Sequence, residues 1–170
     1  MTDPTNVGDI QSLGEYRRQR LIETIENAFS NLEYPGDDAL VVDNDRGSVG
    51  AASVRDKFAG LDWRNVGDDR LRDASSDLAF MTPDAFRFFL PAHMIATLRH
   101  EDRFWSLHVE LVYDMTMRPE SRQRFMSNFS PMNRAQKEAI ADYLRYTATR
   151  YPSDLGTDVR TALSSYWTNA

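Results

Sequence analysis

Phe80 to Leu98, FMTPDAFRFFLPAHMIATL, is the stretch whose reading decides the fold. Thr82 and Pro83 open a helix. A threonine hydroxyl at the N-cap accepts from a free amide of the first turn, and proline at the first helical position loses no bond there. Asp84 sets negative charge against the positive end of the helix dipole. Ala85, Phe86, Phe88, Phe89, Leu90, Met94, Ile95 and Leu98 follow. Phe86, Phe89 and Leu90 share one helical face, with Phe88 to one side. A helix apolar over so much of its circumference is buried on several sides. Pro91 removes one backbone donor and crowds the preceding turn, which predicts a kink or a break near Leu90. Helical spacing resumes through Ile95 and Leu98.

Working outward, the flanking segments also read as helices. Glu15 to Leu32 carries Leu21, Ile25, Ala28, Phe29 and Leu32 at helical spacing, and Tyr34-Pro35-Gly36 stops it. Arg17, Arg18 and Arg20 precede that stripe and read as a solvated face rather than a binding patch. Ser53 is expected to cap a short helix from Val54 to Ala59, ended by Gly60. Trp105, Leu107, Val109, Leu111 and Tyr113 alternate as a strand would, but Phe104, Leu107, His108 and Leu111 fit a helix, and the helical neighbours favour the helix. Pro119 begins a helix to about Asn128. Ser130-Pro131 repeats the grammar of Thr82-Pro83 and predicts the longest helix of the chain, to about Tyr151. Val159, Leu163, Tyr166 and Trp167 mark the last one, capped by Asp154 or Thr157. The expected fold is all-α, a bundle of about six or seven helices around a proline-kinked central helix. Residues 1–14 read as a flexible N-terminal tail and 15–170 as a single helical domain.

The central motif LAFMTPDAFRFFLPAHMIATL resembles the signature of an uncharacterised bacterial domain family, whose members read approximately LSFLTPEAFRFYLPAYLL. Upstream, VRDKFAGLDWRNV (Val54 to Val66) resembles the family's F-x-G-x-x-W element through Phe58, Gly60 and Trp63. Downstream, FSPMNRAQKEAIADYLRY (Phe129 to Tyr146) resembles its FSPEQ…AI…FL-x-Y helix. The resemblance spans residues 54 to 146 and implies a small helical bacterial protein. It implies no catalytic residues, because the family carries no established activity. The sequence departs from the pattern at His93, where an aromatic is usual.

Composition narrows the function classes. The chain has 170 residues, 41% hydrophobic and 27% charged, which suits one domain with a real core. Its formal charge is −6 and its pI about 5.0, which argues against general nucleic-acid binding, since phosphate contacts need clustered Lys and Arg. With no cysteine, disulfides, cysteine–zinc sites and thiol catalysis are excluded. No signal peptide or membrane-spanning run is apparent, so the expected compartment is the cytoplasm.

Motifs for chemistry are sparse. Asp43-Asn44-Asp45-Arg46-Gly47 invites a calcium reading, but with Gly47 in the sixth position of an EF-hand loop the first would be Val42 and the fifth Arg46. An acidic turn is the simpler reading. His93, His100 and His108 match no zinc motif, so no metal or other cofactor is expected. No G-x-S-x-G, Walker loop or dinucleotide fingerprint is present, and no catalytic residue is proposed from the sequence. Met115 and Met117, beside Tyr113 and Arg118, read equally as an adaptable contact surface or a buried loop corner. The leading functional expectation is a non-enzymatic interaction module, of immunity or antitoxin type. Asp37, Asp38, Asp43, Asp45, Asp68 and Asp69 would form an acidic face for a basic protein partner. The alternative is a small-ligand binder or enzyme with a pocket at the Pro91 kink, lined by Trp63, Phe86, Phe89 and His93. A third is a self-associating subunit that uses an exposed face around Tyr166 and Trp167.

Overall fold

The central segment is helix α4 (Pro83–Arg99), and its start is built as the sequence dictates. The computed structural model describes residues 5–42, 47–72, 77–101 and 103–169, with backbone alone for 5–11 and 169. Thr82 Oγ1 accepts from Ala85 N at 3.2 Å and donates to the Ala39 carbonyl at 2.6 Å. The cap therefore also fastens the segment before it. An isolated antiparallel bridge joins Val41 to Met81 there, with Val42 N to Phe80 O at 3.3 Å and Thr82 N to Leu40 O at 3.1 Å. From Ala85 to Leu98 every residue except Arg87 is buried. The helix carries on through Pro91 to Arg99, so the expected break does not occur. Packing on all sides keeps the segment helical despite the missing donor. His93 Nδ1 lies 2.8 Å from the Phe89 carbonyl.

Seven further α-helices surround it among the described residues: α1 (Thr5–Ala28), α2 (Val49–Phe58), α3 (Asp68–Arg72), α5 (Trp105–Asp114), α6 (Arg122–Phe129), α7 (Arg134–Arg150) and α8 (Gly156–Ser165). The fold is all-α, with short 3₁₀ turns between helices and no strand among the described residues beyond that single bridge. The core joins Ile25 of α1 and Phe29 just after it, Val54 and Phe58 of α2, the aromatics of α4, Phe125 and Phe129 of α6, and Tyr143 and Leu144 of α7. Edge-on ring contacts link it, such as Phe88 to Phe89 at 4.9 Å and Phe86 to Phe129 at 5.4 Å between centroids.

Several boundaries differ from the sequence reading, each for a local reason. Helix α1 begins at Thr5 rather than Glu15. Once a helix is nucleated, each added residue gains a bond, so Gly8 and Gly14 weaken it without stopping it. At 24 residues it exceeds the 17 of α7, which was expected to be the longest. Ser48, not Ser53, caps α2, accepting from Ala51 N at 3.1 Å. Ser53 sits inside that helix and donates to Asp77 Oδ2 at 3.3 Å, where Lys57 also binds at 2.8 Å. Ser130-Pro131 remains a turn. Asn133 starts α7 through a reciprocal capping box with Gln136, which satisfies two amides where Ser130 would satisfy one. No side chain caps α8, whose N-cap residue is Leu155. The segment 105–114 is a helix, with Leu107, His108, Leu111 and Val112 inward. Met115 is fully buried and Met117 partly so, which makes them a loop corner. Trp167 is fully buried and donates to the Met115 carbonyl at 2.7 Å.

Candidate functional site

The face of α4 that follows Pro91 forms one wall of a cleft of about 270 Å³. Ala92, Ile95, Ala96 and Arg99 recur there at helical spacing. The two alanines, one turn apart, reach no further than their β-carbons and leave the space open. The 3₁₀ turn Trp63–Asn65 supplies Trp63 and Arg64, followed by Val66; α3 supplies Asp68 and Leu71, and α1 supplies Glu26. The floor is apolar and the rim carries two guanidinium groups and two carboxylates.

Trp63 is the distinctive wall. Only 3% of it is exposed, and its indole Nε1–H donates to no acceptor among the described residues. Buried indole donors ordinarily find a partner. Arg64 lies over the ring, its Cζ 4.5 Å from the centroid, and donates to the Ser30 carbonyl at 2.6 Å and to Asp62. These contacts fix the indole between α1 and α4. The rim charges are held unequally. Asp68 Oδ2 lies 2.5 Å from His100 Nε2, a close pair. Arg99 Nη2 and Glu26 Oε1 stand 3.6 Å apart, beyond hydrogen-bond length, and both are about half exposed. This pair is the weakly held one, so incoming charged groups exchange with it at small cost.

Of the four residues expected around a pocket at Pro91, only Trp63 lines this cleft. Phe86, Phe89 and His93 are fully buried in the core. The His93 ring lies 5.7 Å from that of Phe58, and burial pushes its pKa down to about 4, so it is neutral at pH 7. The residues the sequence reading missed are Ala92, Ala96, Arg99 and Glu26. The available signal was the drop from phenylalanine to alanine along one side of α4, where Ala92 follows Phe88 at i+4 and Ala96 follows Phe89 at i+7. The pairing of Glu26 with Arg99 had none, being a tertiary contact between distant segments.

Three of the aspartates expected to form an acidic face, Asp37, Asp68 and Asp69, have partners within the chain. Asp37 accepts from the Tyr34 hydroxyl and, at 2.9 Å, from Gly60 N, contacts that hold its carboxyl below the usual range, while burial and the bond to Asp37 push Tyr34 up to about 12. Asp68 pairs with His100, and Asp69 lies 3.4 Å from Arg72 and 3.9 Å from Arg103. Asp38 is exposed in the 3₁₀ turn beside Asp37. Asp43 and Asp45 lie outside the described residues. No group of three or more His, Asp or Glu among the described residues is placed to hold a metal ion. No helix among them is long and apolar enough to cross a membrane.

Fold and cleft together define an all-α domain organised around one buried helix. The chain belongs to the family of unknown function DUF6714, whose model matches residues 17–170. The match takes in the central motif and extends well beyond residues 54 to 146, where the sequence resemblance lay. No curated protein and no solved structure matches the chain.

Proposed function

We propose that this protein binds a small ligand in the cleft beside Trp63, and that the ligand is a compact amphipathic zwitterion of the amino-acid class. The observation that carries the reading is the loosely held Arg99–Glu26 pair, 3.6 Å apart, on the rim of a cleft walled by the Trp63 indole. The rim supplies both signs of charge. Arg99 suits a carboxylate, which it can grip bidentately, and Glu26 suits an ammonium. An apolar side chain would rest on Val66, Leu71, Ile95 and the alanines. At about 270 Å³ the space falls just below the usual range for drug-sized ligands, which favours a small one. This reading is preferred to the acidic-face interaction module because Asp37, Asp68 and Asp69, three of its six named aspartates, pair within the chain.

Thermal denaturation with a ligand panel tests it. Leucine and phenylalanine are compared with the amines that lack the carboxylate and the acids that lack the amine. The zwitterions are expected to raise Tm and their truncated analogues to fail. Ala96→Leu, which fills the floor, should remove the shift while the helical circular dichroism persists. A panel without any stabilising member, or a shift that survives in Ala96→Leu, overturns the proposal.

A further inference from the structure

A second concave surface lies between α1 and α7 and shares no residue with the Trp63 cleft. It encloses about 320 Å³ and is lined by Gly14 and Arg17 of α1 and by Arg145, Tyr146, Thr149 and Arg150 of α7. Three guanidinium groups thus converge on one groove of a chain whose net charge is −6. Arg18 adds a fourth positive charge nearby, close enough to act on Glu101 and Tyr146. The sequence reading took the arginines of α1 for a solvated face. Folding sets Arg17 against two arginines from the far end of the chain.

The carboxylates in the neighbourhood do not cancel this charge. Arg145 Nη1 binds Asp142 at 2.8 Å. Glu101, outside the groove lining, accepts from Arg150 Nε at 2.8 Å and from the Tyr146 hydroxyl at 2.6 Å. That carboxylate holds Tyr146 and Arg150 in place and leaves the terminal nitrogens of Arg150 unspent on it. Arg17 is exposed and makes no hydrogen bond or ion pair among the described residues. Among the described residues, these two carboxylates stand beside four guanidinium groups, and that of Arg17 is not engaged by either. Gly14 adds room, since a β-carbon there would meet nothing within 4 Å.

We infer that this groove binds a phosphate-type dianion, carried on a small organic molecule as a phosphomonoester. The guanidinium fork matches two oxygens of a tetrahedral oxyanion, and several such forks around one groove favour a doubly charged group over a single carboxylate. The groove is larger than a bare phosphate needs, so the ester's organic part lies along Tyr146 and the aliphatic stems of the arginines.

Titration calorimetry with phenyl phosphate, inorganic phosphate, benzoate and a short single-stranded oligonucleotide tests the inference on the full chain. Phenyl phosphate should bind most tightly, inorganic phosphate more weakly and benzoate least. Arg17→Gln should weaken phenyl phosphate binding about tenfold, and Arg20→Gln, on the same helix but paired with Glu23, should leave it unchanged. Binding should also fall several-fold from pH 7.5 to pH 5, as the phosphate passes its second pKa near 6. Tighter binding of inorganic phosphate than of the ester would overturn the phosphomonoester assignment. The whole inference is overturned if no phosphate heat appears, or if both glutamine variants weaken binding equally. It is also overturned if the oligonucleotide displaces phenyl phosphate with a steep salt dependence, which would make the groove a nucleic-acid surface.

Discussion

The Tyr143 hydroxyl lies 2.9 Å from Thr97 Oγ1 in the centre of the bundle, both side chains fully buried. Proton counting orders the network. The single Thr97 hydroxyl proton goes to the Met94 carbonyl at 2.7 Å, so Tyr143 must donate to Thr97 Oγ1. Tyr143 then accepts from His108 Nδ1 at 3.1 Å, which makes His108 the Nδ1–H tautomer. Tyr143→Phe leaves the His108 N–H and one threonine lone pair unmatched in the core. Urea unfolding should show a loss of about 1–3 kcal/mol. Nitrogen-15 shifts of His108 in the parent protein should report protonated Nδ1. An Nε2–H signature would refute the ordering.

Two buried histidines set the acid side of the stability curve. Burial pushes both His93 and His108 down to about 4, below the ordinary value of 6.5. The unfolded chain therefore binds more protons between those values. Their contribution is fully present above about pH 6.5 and is lost as the pH falls towards 4. Asp114 acts in the opposite sense, because burial raises it from 3.8 to about 6 and lets the folded state hold a proton there. The histidines outweigh it. Unfolding free energy should drop by roughly 2 kcal/mol from pH 7 to pH 5. His93→Phe, which puts an apolar ring in place of the imidazole, should remove most of that drop, because Asp114 then offsets nearly all of the His108 contribution. Equal stability at the two pH values would exclude this account.

The central helix was legible because its signals are local. A cap, a first-turn proline and a dense aromatic run all lie within Phe80 to Leu98, and none depends on distant residues. The cap of α2 was misplaced because serine stands at both the real and the apparent starts, Ser48 and Ser53, and that of α7 because Ser130-Pro131 offers a second start just before Asn133. Choosing Asn133 over Ser130 requires seeing that Gln136 reaches back to its amide. The candidate cleft was half legible. Trp63 was placed on it from the sequence, but His93 and the phenylalanines were assigned to it for being conspicuous. The space belongs instead to Ala92 and Ala96, residues that define a cavity by what they lack. The arginine groove needs Arg17 beside Arg145 and Arg150, and only the packing of α1 on α7 brings them together.

The Thr82 cap joins two elements, so its loss should cost more than an ordinary N-cap. Its hydroxyl serves the Ala85 amide and the Ala39 carbonyl together. Thr82→Ala should destabilise by about 2 kcal/mol, at the upper end for caps. Thr82→Ser, which keeps both bonds, should recover most of it. Hydrogen exchange should also quicken at Val42 N, which bonds to Phe80 O beside the cap. Full protection of that amide in Thr82→Ala would show that the bridge stands without the cap.

Two helical glycines should respond to the same substitution with opposite signs. A β-carbon on Gly50 would sit 2.3 Å from two carbons of the Phe80 ring, so α2 can lie against that ring only because the position has no side chain. Gly50→Ala forces the ring or the helix to move and should destabilise by about 1–3 kcal/mol. Gly14, inside α1, has open space around its β-carbon direction. There alanine gains helix propensity without a clash, and Gly14→Ala should stabilise by about 0.5–1 kcal/mol. Paired thermal denaturations decide both cases. Because Gly14 also borders the arginine groove, its variant separates stability from binding: the added methyl group should raise Tm and slightly reduce phenyl phosphate affinity. A gain in Tm at Gly50→Ala would show that Phe80 does not hold its place against α2.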